Sequence, residues 1–233
     1  MKLRTNTQRD TGAHHPVPKP RLLCIEGPAG SGKTTLCGAL SQRLEQNNIP
    51  TSYVPEFSAT ALGISLAQGL VRFPPTPASL PPEVEFMLCM ADKFASLAAP
   101  AARACPAVVV ADRGFITQAV LGIPAMTDQA SRSFAHRLLA LSSDWLRATF
   151  TVSTFVLSLP FEENLRRLAQ RLQRPLSPQE QDAIRREREA YDVLAGGDIA
   201  QCLSTQIIDC LATPDAVADD ILARMHRNAM EHT

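Results

Sequence analysis

Gly27-Pro28-Ala29-Gly30-Ser31-Gly32-Lys33-Thr34 follows directly on the apolar run Leu22-Leu23-Cys24-Ile25 and fits G-x-x-x-x-G-K-S/T, the pattern of a phosphate-binding P-loop. Three glycines let the chain wrap an anion with backbone N–H groups, and a helix predicted from Lys33 aims its positive dipole end at the same point. In this reading Gly27, Gly30, Ser31, Gly32, Lys33, Thr34 and Thr35 hold a nucleoside triphosphate. Lys33 reaches the β- and γ-phosphates, and the Thr34 hydroxyl binds Mg²⁺. A strand before the motif and a helix after it are the context that the motif requires.

The chain has 233 residues, 45% of them hydrophobic and 20% charged, which is enough for one substantial core. Lys+Arg 23 against Asp+Glu 23 leaves no electrostatic case for nucleic acid or an acidic membrane surface. No apolar run approaches the ~18 residues of a membrane span, and residues 1–20 lack the apolar core of a signal peptide. These features predict a cytoplasmic protein with a disordered tail over 1–20 and a single domain over 21–233. Cys24, Cys37, Cys89, Cys105, Cys202 and Cys210 show no metal-ligand spacing and read as reduced thiols. His14-His15 reads as solvated tail.

Leu36, Ala39, Leu40 and Leu44 recur at helical spacing, predicting a helix from Lys33 to about Asn47. Thr51 to Val54 follows as a short strand, with Glu56 just past its carboxyl end, the edge at which open parallel sheets bind ligands. Prolines between Leu70 and Pro82 predict a loop or hinge, and Glu83 to about Arg103 an Ala-rich helix carrying Asp92-Lys93. Ala107-Val108-Val109-Val110-Ala111 reads as a central strand, and Asp112 at its end stands where a Mg²⁺ partner belongs.

Gly122 to Asp128 reads as a loop, and Ser131 to Arg147 as a helix with Phe134, Leu138, Leu139, Leu141 and Trp145 inward. Thr154 to Leu159 and Thr205 to Asp209 read as strands; Phe161 to Leu172, Gln179 to about Leu194 and Pro214 to Arg227 read as helices. Arg166, Arg167, Arg185, Arg186 and Arg188 read as a solvated face. Arg171 and Arg174 flank the hinge Pro175-Leu176-Ser177-Pro178, a setting for a lid over about 171–180 that carries guanidinium groups onto transferring phosphates.

The alternation predicts an α/β fold: a doubly wound parallel five-stranded sheet flanked by helices, a P-loop NTPase with a helical lid. No Asn-Lys-x-Asp tetrapeptide argues for a GTPase, and the arginine-bearing hinge favours a small-molecule kinase.

From Leu22 to about Met225 the chain resembles thymidylate kinase and its relatives in the nucleoside monophosphate and deoxynucleoside kinase superfamily. Glu56-Phe57-Ser58-Ala59-Thr60-Ala61-Leu62-Gly63 resembles that family's Glu-Pro-Gly-Gly-Thr-Pro-Leu-Gly, Ala91-Asp92-Lys93 its Ala-Asp-Arg, and Asp112-Arg113 its Asp-Arg-Tyr. Tyr191, Ile208-Asp209, Pro214 and Val217 also fall in family order. The resemblance implies an ATP- and Mg²⁺-dependent phosphotransferase. Lys33 and Thr34 would hold ATP·Mg²⁺ with Asp112 near the metal. Arg113 and Lys93 would grip the acceptor's phosphate, Glu56 would shape the acceptor side, and Arg171 and Arg174 would be lid arginines.

Ala29 stands where the family has a P-loop acid, Gly114 and Leu121 where it has tyrosines, and Cys89 where it has the base-stacking phenylalanine. The resemblance with these departures implies a nucleotide-like acceptor, modified or other than thymidylate, within a chain that leaves a homodimer open. Two alternatives stand beside it: a nucleoside or metabolite kinase acting on a hydroxyl, and an ATP-binding regulatory protein without catalysis.

Overall fold

The computed structural model describes residues 19–70, 80–101, 107–195, 197 and 201–230. The expected tail, His14-His15, Cys105 and most of the proline-rich segment after Leu70 lie outside them. Five strands, β1 (Arg21–Glu26), β2 (Thr51–Val54), β3 (Val108–Asp112), β4 (Thr151–Ser158) and β5 (Thr205–Asp209), form one all-parallel sheet in the order β2-β3-β1-β4-β5. From β1 the chain runs out to β2, returns to β3 beside β1, and then crosses to β4 on the other side. The loop after β1 therefore lies at the switch in strand order, where the crevice of such a sheet opens.

Helices α1 (Lys33–Gln46) and α8 (Pro214–Met230) cover one face of the sheet. The other face is covered by α3 (Pro82–Ala101), α4 (Phe115–Gly122), α5 (Gln129–Thr149) and α7 (Pro178–Ala195). Alternation along β1 supplies both cores, Leu22 and Cys24 to one face and Leu23 and Ile25 to the other. Between β2 and α3 lies a five-residue turn of helix, α2 (Ala61–Ser65), capped by the Thr60 hydroxyl on the Gly63 N–H.

The α5 register differs from expectation. Ala135, Leu139, Ser142, Ser143 and Leu146 form its buried stripe, while Phe134 and Leu141 are exposed. Leu139 is buried and Leu138 and Trp145 pack against the core as expected; the difference is confined to Phe134 and Leu141, in whose place Ala135, Ser142 and Ser143 share the inner side with the leucines. Two elements were absent from the expectation: α2 and α4, the latter an apolar helix whose burial on nearly every side erases any helical periodicity.

Helix α6 (Phe161–Leu172) and α7 form a pair joined by residues 173–177. Gln173 ends α6 in the left-handed region, and α7 starts on Ser177-Pro178-Gln179-Glu180. Ser177 Oγ accepts the Glu180 N–H at 3.3 Å while Glu180 Oε2 accepts the Ser177 N–H at 2.8 Å, a reciprocal cap with proline at the first helical position. Ala29, Leu168 and Ile184, joined by Phe161, Leu165, Leu172 and Leu176, make a small third core that seats this pair on the loop after β1.

Candidate active site

At Gly27, Gly30 and Gly32 the backbone has φ of 137°, 79° and 93°. A Cβ on Gly27 would stand 2.9 Å from the Leu157 carbonyl and one on Gly30 3.0 Å from the Asn164 carbonyl, so these turns exclude side chains on both conformational and steric grounds. The loop delivers the chain to α1, whose N-cap is Gly32 and whose first turn carries no acid, leaving its N–H groups to an anion. Lys33 Nζ donates to the carbonyls of Gly27 and Pro28 at 2.8 and 2.9 Å. Burial, with Arg113 nearby, pulls its ammonium down to about 8.

Parallel register sets Asp112 beside Ile25, so β3 ends at the loop's mouth. Thr34 Oγ1 donates to Asp112 Oδ2 at 2.6 Å, and Asp112 Oδ1 is buried without a hydrogen-bond partner among the described residues. A hydroxyl and an unspent carboxylate oxygen side by side fit Mg²⁺, which takes one or two protein oxygens and fills its other positions with phosphate and water. The described residues contain no cluster of three or more His, Cys, Asp or Glu of the kind that would cage a metal by itself. Ser31 Oγ is likewise buried and unpartnered within the loop.

Arg113 occupies the left-handed region at φ 66°, unusual for a long side chain, with its N–H continuing the ladder to Ile25. Its Nε lies 2.8 Å from Glu56 Oε1 and its Nη1 3.7 Å from Glu187 Oε1. Burial works against the guanidinium charge, but Glu56 and the other acidic groups around it hold it firmly protonated.

A cavity of ≈ 1020 Å³ joins these groups. Its walls include Ala29 to Leu36 of the loop and α1, then Glu56, Phe57, Glu85, Arg113, Leu121 and Ala125 on one side. On the other side stand Arg167 and Arg171 from α6 and Cys210, Ala212, Pro214 and Val217 after β5. The structure thus brings together Lys33, Thr34, Thr35, Glu56, Arg113 and Arg171, with Asp112 bonded to Thr34.

Four expected site residues are not on the cavity wall: Gly27, Asp112, Lys93 and Arg174. Lys93 is fully buried and donates to the Pro55 and Asp112 carbonyls at 3.0 and 3.4 Å, tying the ends of β2 and β3 together. Its neighbour Asp92, also buried, accepts from Ser58 N–H at 2.9 Å and from the Ser58 hydroxyl. Arg174 is spent on Glu180, to which it donates from both Nη atoms at 2.9 and 2.6 Å.

Of the four positions at which the chain departs from the family pattern, two do not line the cavity. A Cβ on Gly114 would point at Glu26 Oε1 (3.0 Å) and Cys24 Sγ (3.1 Å), so that glycine adjoins packed interior and not the cavity. Cys89 is buried behind the wall, its thiol pushed up to about 12 by burial and the nearby Glu85. Ala29 and Leu121 do line the cavity. The five described cysteines are free thiols.

Glu187 and Asn164 carry no signal in the sequence, yet both bond the loop. Glu187 Oε2 accepts the Ala29 N–H and Asn164 Nδ2 donates to the Ala29 carbonyl, each at 3.1 Å. Arg167, taken for solvated surface, is partly buried and bonds the Cys210 carbonyl at 3.1 Å on the cavity wall. Arg188, from the same charge run, donates to Asn164 Oδ1 at 2.8 Å. For Glu26, fully buried at the end of β1, the partners are Gly114 N–H (2.8 Å), Tyr191 Oη (3.3 Å) and the Thr117 hydroxyl.

The chain matches no protein-family model and no curated protein. Among the described residues no helix is long and apolar enough to cross a membrane.

Proposed function

We propose that the chain is an ATP- and Mg²⁺-dependent kinase that transfers the γ-phosphoryl group to a small acceptor. The observation that carries this reading is the Thr34 hydroxyl bonded to Asp112, whose other oxygen is orphaned, at the mouth of a glycine loop that presents Lys33. Phosphoryl transfer asks a protein for positioning and charge neutralisation more than for covalent chemistry, and this set supplies both. Gly27 to Thr35 is the P-loop of this proposal, and the α6–α7 connection its lid, with Arg167 and Arg171 as the arginines that face the cavity.

Backbone N–H groups and Lys33 would bind the β- and γ-phosphates, and Thr34 and Asp112 would hold Mg²⁺, which supplies charge neutralisation on those phosphates. The acceptor's oxygen forms a bond to the γ-phosphorus as the bond to the β,γ-bridging oxygen breaks, and that electron pair leaves on ADP. A proton on the attacking oxygen passes to Glu56, whose carboxylate is accessible to solvent.

Transfer of label from γ-labelled ATP to an acceptor panel tests the reading. Loss of at least a thousandfold in Lys33→Ala, with the variant still folded by its melting transition, is the expected result; undiminished transfer in that variant sinks it.

A further inference from the structure

A phosphate monoester, the acceptor that the family resemblance implies, needs unspent cations, and the charges at the acceptor end of the cavity do not provide them. Glu56, Glu85 and Glu187 line that end against one guanidinium, Arg113. The charge of that guanidinium is balanced from both sides, by Glu56 at 2.8 Å and Glu187 at 3.7 Å, and Nη1 donates to Thr117 Oγ1 at 3.3 Å, while the Nε–H is not aligned for a hydrogen bond. Glu187 is not free to swing aside, because its second oxygen holds the Ala29 N–H and its side chain is 8% exposed. Lys93 is turned away into the sheet edge. Arg167 lies by the Cys210 carbonyl on the opposite wall, 3.8 Å from where a Cβ on Gly32 would stand. The loop and α6 thus bring Lys33, Arg167 and Arg171 to the cavity, while the wall around Arg113 carries three carboxylates, of which Glu187 also reaches the loop at Ala29.

Resting on the kinase reading, we propose that Glu56 and Glu187 make this end a site for an unphosphorylated acceptor, a neutral or cationic small molecule that presents a hydroxyl to the γ-phosphorus, and that they exclude phosphate monoesters. A hydroxyl donates to a carboxylate and an amine pairs with one, whereas a phosphate meets like charge beside an arginine that is already neutralised. Selectivity then comes from a repulsive element as much as from attraction. The bond changes are those of the transfer above, with the hydroxyl oxygen as nucleophile and its proton passing to Glu56.

The test uses the full chain, Mg²⁺ and γ-labelled ATP with acceptors in matched pairs: nucleosides and amino sugars, and the monophosphate of each. We expect kcat/KM for an unphosphorylated member to exceed that of its monophosphate at least tenfold. Glu187→Gln should narrow that ratio severalfold. Should Glu187→Gln fail to fold, Glu56→Gln is read through the KM of the monophosphate, which should fall severalfold, because loss of the proton acceptor bears on kcat with hydroxyl acceptors. Preference for the monophosphate, or a ratio or KM unmoved by the folded variant, overturns the inference while leaving the kinase reading intact. Transfer to no member of either set, with ATP still bound, overturns the kinase reading and the inference together.

Discussion

Asn164 Nδ2 on α6 donates to the Ala29 carbonyl at 3.1 Å, while Glu187 Oε2 on α7 accepts the N–H of the same residue at the same distance. One residue of the glycine loop is thus gripped at both its polar backbone groups by two consecutive helices, and its methyl sits in their shared apolar cluster. Asn164→Ala leaves the buried Ala29 carbonyl without its side-chain donor and removes one of the two acceptors of Arg188 Nη1, which keeps the Leu159 carbonyl, a loss of about 1–3 kcal/mol. A denaturant midpoint unchanged from wild type would show that the grip does not hold the loop.

Lys33 titrates near 8 in the free protein, because burial disfavours its charge. A polyanion favours the charged form, so binding a triphosphate should take up a fraction of a proton that grows as pH rises from 6.5 through 8. Affinity should accordingly weaken as pH rises above 8. Calorimetric titrations in buffers of different ionisation enthalpy measure the uptake; equal uptake at both pH values would remove Lys33 as its source.

Asp112→Asn keeps an acceptor for the Thr34 hydroxyl but removes the charge from the orphaned oxygen. The Mg²⁺-dependent part of ATP binding should fall at least tenfold, while binding in EDTA stays level or improves slightly as repulsion of the phosphates drops. Equal losses with and without Mg²⁺ would assign Asp112 to loop architecture alone.

Arg171 and Arg174 should separate. Arg171 lines the cavity and Arg174 is bonded to Glu180, so Arg171→Ala should lower kcat at least tenfold and Arg174→Ala should show mainly in stability. Hydrogen bonds from Arg174 and the Ser177 N–H hold the Glu180 carboxyl at about 2 against an ordinary 4.5. A depressed carboxyl stabilises the fold above 4.5 and loses that contribution as pH falls from 4.5 toward 2. Melting curves across that range should be flatter in Glu180→Gln, and a parallel fall in both proteins would count against the pair.

Gly114→Ala introduces a Cβ 3.0 Å from Glu26 Oε1 and 3.1 Å from Cys24 Sγ. Overpacking of this kind costs about 1–3 kcal/mol, and it should appear in the melting temperature with acceptor KM unchanged, since the residue faces interior. A shift in KM with no loss of stability would return Gly114 to the cavity.

The glycine loop, the strand ending in Asp112 and the helix from Lys33 were legible because each is a local pattern: glycines at fixed offsets, a β-branched run, apolar residues at helical spacing. Even the turn into α7 was spelled out locally, in Ser177-Pro178-Gln179-Glu180, although the prolines drew attention and the cap did not. What stayed hidden needed the third dimension. Glu187 stands in an ordinary-looking charged helix, 158 positions from the Ala29 it bonds, and no spacing rule links the two. Arg167 and Arg174 look alike in sequence, and only packing decides that one reaches the cavity wall while the other closes a helix cap. The family likeness pointed to Gly114 and Cys89 as pocket positions, but a likeness carries no direction for a side chain, and both adjoin the interior.

The double grip on Ala29 carries a thermodynamic obligation. If an anion in the loop shifts the equilibrium position of α6 and α7, then anything that shifts those helices must change the anion's affinity by the same factor. Effectors need not enter the cavity to be felt there. A substitution or a binding partner on the outer surface of α7 would then tune the loop's affinity for the anion from a distance.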